Sequence, residues 1–291
     1  MASGILSLFD DLAVLMDDVA SASKIATRKA AGILGDDLAV NAEKATGFLA
    51  NRELPVLWAI TKGSLINKLI IVPIALTLSA IWPTAVTVIL VAGGCYLAYE
   101  GVESIIELIR HRLARKTGEA TMEAASQPAD EKAKVRSAIV TDFVLSAEIV
   151  IIALNSVIEE TLAVRILTVS VVSLIATVGV YGVVTLIVRM DDIGYKLVKR
   201  SGGAGLLDFA GRGLLWLMPL IIKLLRLVGT LALLFVSGGI LVHNISYLEH
   251  LFPSMADILK EFLAGFICGL IAVIVWKAFE GAVSRIRAFP K

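Results

Sequence analysis

Charge is scarce in this sequence of 291 residues. Asp, Glu, Lys and Arg make up 18% of it, against about 25% in soluble domains, and 57% is hydrophobic. Mean hydropathy is +0.85. That shortage excludes an ordinary soluble domain. Cysteine and histidine are scarcer still, at two and three residues. Two cysteines cannot furnish a zinc site alone, and the histidines stand at no ligand spacing beside them. Cys95 and Cys268 both fall in apolar stretches, where a free cysteine packs as a small hydrophobe; a disulfide, metal or redox role is the alternative. No GxSxG, HExxH or paired His–carboxylate arrangement is present, so an intramembrane enzyme is disfavoured and no cofactor is expected. Residues 1–18 hold four aspartates and no Lys or Arg, so the basic start of a secretory signal is missing. The first crossing must then act as its own insertion signal.

What the sequence has is long apolar runs. Residues 166–188 (ILTVSVVSLIATVGVYGVVTLIV) carry no charge over the roughly 20 residues that a 30 Å hydrocarbon core demands. A soluble helix of that length would need a polar face, and this one has none. Comparable runs lie at 65–82, 84–103, 138–158, 227–245 and 263–283. The expected fold is an all-α polytopic membrane bundle of about six transmembrane helices, with amphipathic cytoplasmic or interfacial helices. Its parts are a cytoplasmic amphipathic region 1–64, a first hairpin 65–109, a loop 110–137 and a second hairpin 138–188. A cytoplasmic, interfacial or re-entrant helix 189–226, a third hairpin 227–283 and a tail 284–291 follow.

The basic residues fix the expected orientation. Residues 1–64 hold six Lys/Arg, 104–137 seven, 189–226 seven, and the tail Arg285, Arg287 and Lys291. The alternate loops hold only Arg165 and Lys260. Six crossings with both ends in the cytoplasm place every basic stretch on one side. In the N-terminal region Ile5, Leu8, Phe9, Leu12, Leu15, Met16 and Val19 recur at helical spacing, predicting an amphipathic helix. Its polar face is acidic and should not seek anionic headgroups; its apolar stripe should pack on the cytoplasmic side of the bundle or on another subunit. Residues 114–135 read as a surface loop with one helical turn or two. Residues 206–225 are apolar but interrupted by Asp208, Arg212, Lys223 and Pro219, hence the interfacial or re-entrant reading.

Polar residues inside the crossings are the candidate site. Glu148 lies about 15 Å into the third crossing, near the midplane. Thr141 and Asn155, seven residues to either side, share its face, while Asp142 and Ser146 share another. A midplane carboxylate is paired, faces water or keeps its proton. Tyr96, Glu100, Glu103 and Glu107 form a second stripe, of which Glu103 and Glu107 mark emergence into water. Lys68 can snorkel and pair with Glu100 or Asp142. Four Asp-Asp pairs (Asp10, Asp11; Asp17, Asp18; Asp36, Asp37; Asp191, Asp192) are weak metal candidates that could equally cap helices or bind cations. Gly265 and Gly269 form a GxxxG suited to close helix packing. His243 and His250 flank the outer end of the fifth crossing beside Glu249.

Six strings resemble the YedI-type inner-membrane protein family of bacteria: RKAAGILGDDL (28–38), NRELP (51–55), KGSLINK (62–68), TDFVLSAEIV (141–150), GVYG (179–182) and DDIGY (191–195). The resemblance runs through nearly the whole chain, with a shorter loop around 118–128. It implies a bacterial cytoplasmic membrane and supplies no activity. From the residues, the leading expectation is a proton- or cation-linked transporter or channel built on Glu148, with Asn155, Thr141, Asp142, Glu100 and Lys68 as lining. The alternative is a non-transporting scaffold or regulatory protein that docks partners through its amphipathic helices. The expected partner is the lipid bilayer. A homo-oligomer and a cytosolic partner stay open, and nucleic acid is not expected.

Overall fold

A chain this apolar satisfies its backbone within helices, and it does so almost throughout. The computed structural model describes residues 2–46, 52–116, 128–202, 205–245, 247–248 and 255–287. In order the helices are α1 (Ala2–Lys29), α2 (Ala31–Ala45), α3 (Glu53–Ile81), α4 (Pro83–Lys116), α5 (Pro128–Asn155), α6 (Leu162–Val188), α7 (Met190–Ser201), α8 (Leu206–Asn244) and α9 (Asp257–Arg287). No strand occurs among the described residues. Six of these helices, α3, α4, α5, α6, α8 and α9, are long and apolar enough to cross a membrane. The fold class is the one expected.

The six sort into two triads: α3 packs with α5 and α6, and α4 with α8 and α9. The turn at Trp82 between α3 and α4 therefore opens into arms that belong to different triads. α5 is the most buried span, at 61% of its most apolar stretch, and α9 the least, at 17%. Leu145, Ile149 and Val150 of α5 consequently form the centre of the main core, with Leu97, Val169, Val172 and Leu233 around them. The second triad depends on missing side chains. A Cβ on Gly238 of α8 would fall on the Glu261 carbonyl of α9, and one on Gly265 of α9 would fall on the Leu234 carbonyl of α8. The GxxxG reading is thus one of packing: Gly269 lies in the same way against Ala98 of α4.

α2 joins the triads, packing on α8 from one and on α6 and α5 from the other. Asp37, Ala39, Val40, Asn41, Ala42 and Ala45 are all buried there. The helix runs antiparallel to α5. Lys44 reaches Ser137, Asn41 shares the Tyr181 hydroxyl with Asp142, and Asp36 faces Glu148. Extending that register carries Ala30 to the level of Leu154, at the end of α5 remote from the basic loops 104–137 and 189–226. At Ala30 the helix bends without breaking, since Ala30 donates to Ala26 and Leu34 to Ala30 at 3.0 and 2.9 Å. α1 then lies against α6.

Three expectations change here. The N-terminal helices do not cap the basic end; α2 is inside the bundle, and α1 lies across α6 with Leu8, Phe9, Leu12 and Met16 exposed and only Leu15 and Val19 half-buried. The amphipathic pattern was real, but the deeper burial belongs to the helix after it. Residues 206–226 are not a separate helix: they form the first half of α8, whose 39 residues span about 58 Å. Its charges sit on the part that outruns a bilayer, Arg212 bonding Asp208 at 2.7 Å, and α7 packs alongside. The loop expected at 114–135 is helical up to Lys116 and again from Pro128, and its middle lies outside the described residues, as do Glu249, His250 and Lys291.

Gly238→Leu or Gly265→Val should prevent assembly of the second triad, because a carbonyl and not a movable side-chain tip occupies the space. Gly179→Ala, with nothing within 4 Å of its Cβ, should be neutral or stabilise by up to about 1 kcal/mol. Thermal unfolding of the detergent-solubilised protein reads both.

Candidate functional site

An ionised group inside a bundle survives if enough donors or acceptors replace its water. The polar cluster around Asp142 meets that condition. Asp142 on α5 is completely buried, yet three side chains donate to it and the Tyr181 hydroxyl lies within reach. Its Oδ1 accepts from Ser64 at 2.8 Å, and the Tyr181 hydroxyl lies 2.9 Å away; its Oδ2 accepts from Asn67 at 3.0 Å and Ser146 at 3.3 Å. Lys68 Nζ stands 3.7 Å from Oδ1 and donates to Ser64 at 2.9 Å and Ser146 at 2.7 Å. The two serines thus receive a hydrogen bond from the ammonium and pass one to the carboxylate. Tyr181 has one proton for two acceptors, Asp142 Oδ1 and Asn41 Oδ1, each at 2.9 Å. Asn41 in turn donates to the Asp37 carboxylate at 2.7 Å. Helices α2, α3, α5 and α6 all contribute.

Nearer the basic end, Glu100 of α4 accepts from Lys44 of α2 and from Ser137 and Thr141 of α5. Lys44 also reaches Ser137 at 3.0 Å. Glu43, one residue before, has its carboxyl pushed up to about 7 by burial, against the pull of Lys44 and Arg226 and with help from Glu100 and Glu107. In the other direction lies Glu148. Its Oε2 is buried with no hydrogen-bond partner, and the charged groups facing it are Asp36, Asp37 and Glu261, all acidic. Glu261 belongs to α9, held close by the Gly238 contact. Glu100, Asp142 and Glu148 thus mark three successive levels along α5, and α2 supplies a charged residue to each: Lys44, Asp37 and Asp36.

The structure therefore divides the expected lining. Lys68 pairs with Asp142 and not with Glu100. Thr141 belongs to the Glu100 group and Glu148 to the Asp36 and Glu261 group, so their shared helix face is not one site. Asn155 is exposed at the end of α5 and joins neither. Of the second stripe Tyr96 and Glu100 turn inward, Tyr96 half-buried against the main core; Glu103 and Glu107 are exposed. Of the metal candidates, Asp10, Asp11, Asp17 and Asp18 are exposed on α1, and Asp192 bonds Arg189 at 3.3 Å with Asp191 beside it. Asp36 faces Glu148, and Asp37 faces both Asp142 and Glu148. Among the described residues no three His, Cys, Asp or Glu side chains are grouped to hold a metal ion. Cys95 and Cys268 are free thiols with sulfurs 3.5 Å apart, between α4 and α9. His243 is exposed and bonds the Gly239 carbonyl.

Sequence reasoning missed Asn41, Lys44, Ser64, Asn67, Tyr181 and Glu261 as members of a site. A signal existed for three of them. Ser64, Asn67 and Tyr181 lie inside strings that carry the family resemblance, as do Asp37, Lys68, Asp142 and Glu148.

Fold and interior together define a multi-pass helical membrane protein with a layered ionisable interior. The chain belongs to the family described as protein of unknown function (DUF808), whose family model matches residues 3–286. No curated protein and no solved structure matches it.

Two measurements check the site. Removing one member of a buried pair orphans the other, so Lys68→Met and Asp142→Leu should each destabilise by about 3–5 kcal/mol, while the double variant recovers much of the loss. A double variant as unstable as the sum of the singles would deny the pair. For Glu43, the folded protein holds its proton up to about 7 whereas the unfolded chain releases it near 4.5. The Glu43 contribution to stability should therefore be fullest below 4.5 and be lost as pH rises through 7. Glu43→Gln should remove that loss, raising the melting temperature at pH 8 and leaving it unchanged at pH 4.

Proposed function

We propose that the protein carries protons, or a small cation in exchange for them, along the polar interior that α2 and α5 build, in a bacterial cytoplasmic membrane. One observation supports this most: the charged groups do not form a single structural pair but recur at three levels, Glu100 with Lys44, Asp142 with Lys68 and Asp37, and Glu148 with Asp36 and Glu261. Burying carboxylates without cations beside Glu148 is expensive, and groups retained at that expense are ones that bind and release a charge.

Glu148 is the group that exchanges the proton, and the serine-bridged Lys68–Asp142 pair lies between it and the Glu100 level. α2, bridging the two triads, supports a cycle in which the triads shift against each other and change which level is open. The basic loops 104–137 and 189–226 support a cytoplasmic position for that end, together with the C-terminal tail. The YedI-type resemblance supports the bacterial inner membrane. The antiparallel register of α2 supports placing α1 on the far face.

A second reading has its own observation. Leu8, Phe9 and Met16 on α1, and Leu206 and Phe209 at the start of α8, are all more than 60% exposed. Such surfaces suit a non-transporting scaffold that docks partners.

Proteoliposomes loaded with a pH-sensitive dye separate the readings. Transport predicts that wild-type protein relaxes an imposed pH gradient and that Glu148→Gln folds normally but leaves the gradient as in empty vesicles. The scaffold reading predicts that Glu148→Gln is silent in every assay and that wild-type vesicles relax no faster than protein-free ones, under sodium and potassium gradients alike.

A further inference from the structure

A hydrogen-bonded chain needs one proton in each contact, and the chain that joins α2 to α5 is one short when both its carboxyl ends are ionised. It runs Asp37, Asn41, Tyr181, Asp142, and none of these side chains is more than 4% exposed. The Asn41 amide nitrogen donates to Asp37 Oδ1 at 2.7 Å, which fills the first contact. The Tyr181 hydroxyl stands 2.9 Å from Asn41 Oδ1 and 2.9 Å from Asp142 Oδ1, and its single proton fills one of those two. The other contact then brings two oxygens together with no proton between them. At that separation no water fits between them either.

One more proton completes the chain, and either end can hold it. On Asp142 it points to Tyr181, Tyr181 to Asn41, and Asn41 to Asp37. On Asp37, with the Asn41 amide turned over, every bond runs the other way and ends on the Asp142 carboxylate. The surroundings favour the second arrangement. Asp142 has Lys68 beside it, and Ser64, Asn67 and Ser146 donate to it, so its charge is already answered. The charged and titratable groups that face Asp37 are Asp142 and Glu148 of α5, Lys68 of α3, Tyr181 of α6 and Asp36 on α2 itself, with Glu261 of α9 facing Asp36 in turn. Carboxyls dominate that set. Turning the amide gives up its 2.9 Å bond to the Asp37 carbonyl. That is a smaller loss than leaving Lys68 buried without its carboxylate.

We infer that Asp37 and Asp142 share one proton and that it acts as a latch: while it is bound, α2 is tied to α6 and α5 through Tyr181, and its release opens the contact between Asn41 and Tyr181. With both ends ionised, Tyr181 donates to Asp142, the charged and stronger acceptor. The contact given up is therefore the one to α2, the helix that bridges the two triads. The use of this latch in transport rests on the proton-carrying reading above, in which release of a proton frees α2 for the shift of one triad against the other. Its existence rests only on the count of protons in the chain. Asp37 faces Glu148 as well as Asp142, which puts the latch beside the group assigned to exchange the proton.

Hydrogen–deuterium exchange of α2 in the detergent-solubilised, full-length protein tests the latch, with labelling times scaled to the intrinsic exchange rate at each pH. Burial first, and the charge of Asp142 second, hold the Asp37 carboxyl above the usual carboxylate range. α2 should therefore be protected at mildly acid pH and exchange roughly tenfold faster at mildly alkaline pH, the factor that goes with one buried hydrogen bond. Asp37→Asn, whose amide donates where the carboxyl proton did, should stay protected at both. Tyr181→Phe, with no hydroxyl for Asn41, should exchange fast at both. The two variants thus abolish one pH step in opposite directions, which lost packing alone does not do. Should Tyr181→Phe fail to fold, Asp37→Asn carries the test by itself. A step that persists in Asp37→Asn belongs to Asp36 or Glu43 and overturns the latch, as does equal protection of α2 at both pH values in the wild type. A step abolished as stated, in protein that leaves a pH gradient across vesicles intact, keeps the latch and removes the transport reading. Gradient relaxation without the step removes the latch alone.

Discussion

Asp142 is the constraint on which the arrangement depends. A carboxylate with no exposure in a membrane bundle needs its water replaced group by group, and the replacements come from Ser64, Asn67, Ser146 and Tyr181, with Lys68 as counter-charge. None of those donors can be supplied by α5 alone except Ser146. α3 must therefore present Ser64, Asn67 and Lys68 along one face toward α5, and α6 must turn Tyr181 to it. The first triad is the geometric solution to that requirement. The same hydroxyl of Tyr181 reaches Asn41, so α2 is drawn in by the network and not by apolar burial alone.

The second triad obeys a different rule. α4, α8 and α9 meet through glycine, backbone against backbone, with dispersion in place of hydrogen bonds. One half of the molecule is held by a directional polar network and the other by close packing. α2 touches both, hydrogen-bonding into the first and fitting Ala39 and Glu43 against Gly229 of α8. A relative shift of the halves has to pass through this helix, which also holds a charged residue at each level of the interior. In the proposed transport cycle, structural coupling and charge movement would share this one element.

Much of this was legible in the sequence. Uncharged runs of span length and the one-sided distribution of Lys and Arg yield the six spans, because hydrocarbon thickness and the expense of buried charge act locally on each segment. Glu148, Asp142 and Lys68 stood out for the same reason. α2 was not legible. Its sequence, AGILGDDLAVNAEKA, is short and carries four ionisable residues, the signature of a surface helix. Its burial is decided by Ser137, Tyr181 and Glu100, partners 56 to 140 positions away. The grouping of Thr141 with Glu148 failed for a related reason: a shared helix face says nothing about which neighbour each turn meets. The length of α8 was hidden because Asp208, Arg212 and Lys223 look like interruptions until the helix is seen to extend beyond the span.

The position of α2 inside the bundle is the central claim, and a cross-link tests it most directly. In a chain with Cys95→Ala and Cys268→Ala, cysteines are placed at Glu43 of α2 and Gly229 of α8, where a Cβ on residue 229 comes within 3.1 Å of the Glu43 Cβ. That separation is close to the span of a disulfide. In native membranes, mild oxidation should join the two cysteines, and a membrane-impermeant maleimide should label neither before oxidation. If no bond forms and the reagent labels both positions, α2 lies outside the bundle, and neither the layered interior nor the coupling of the two triads stands.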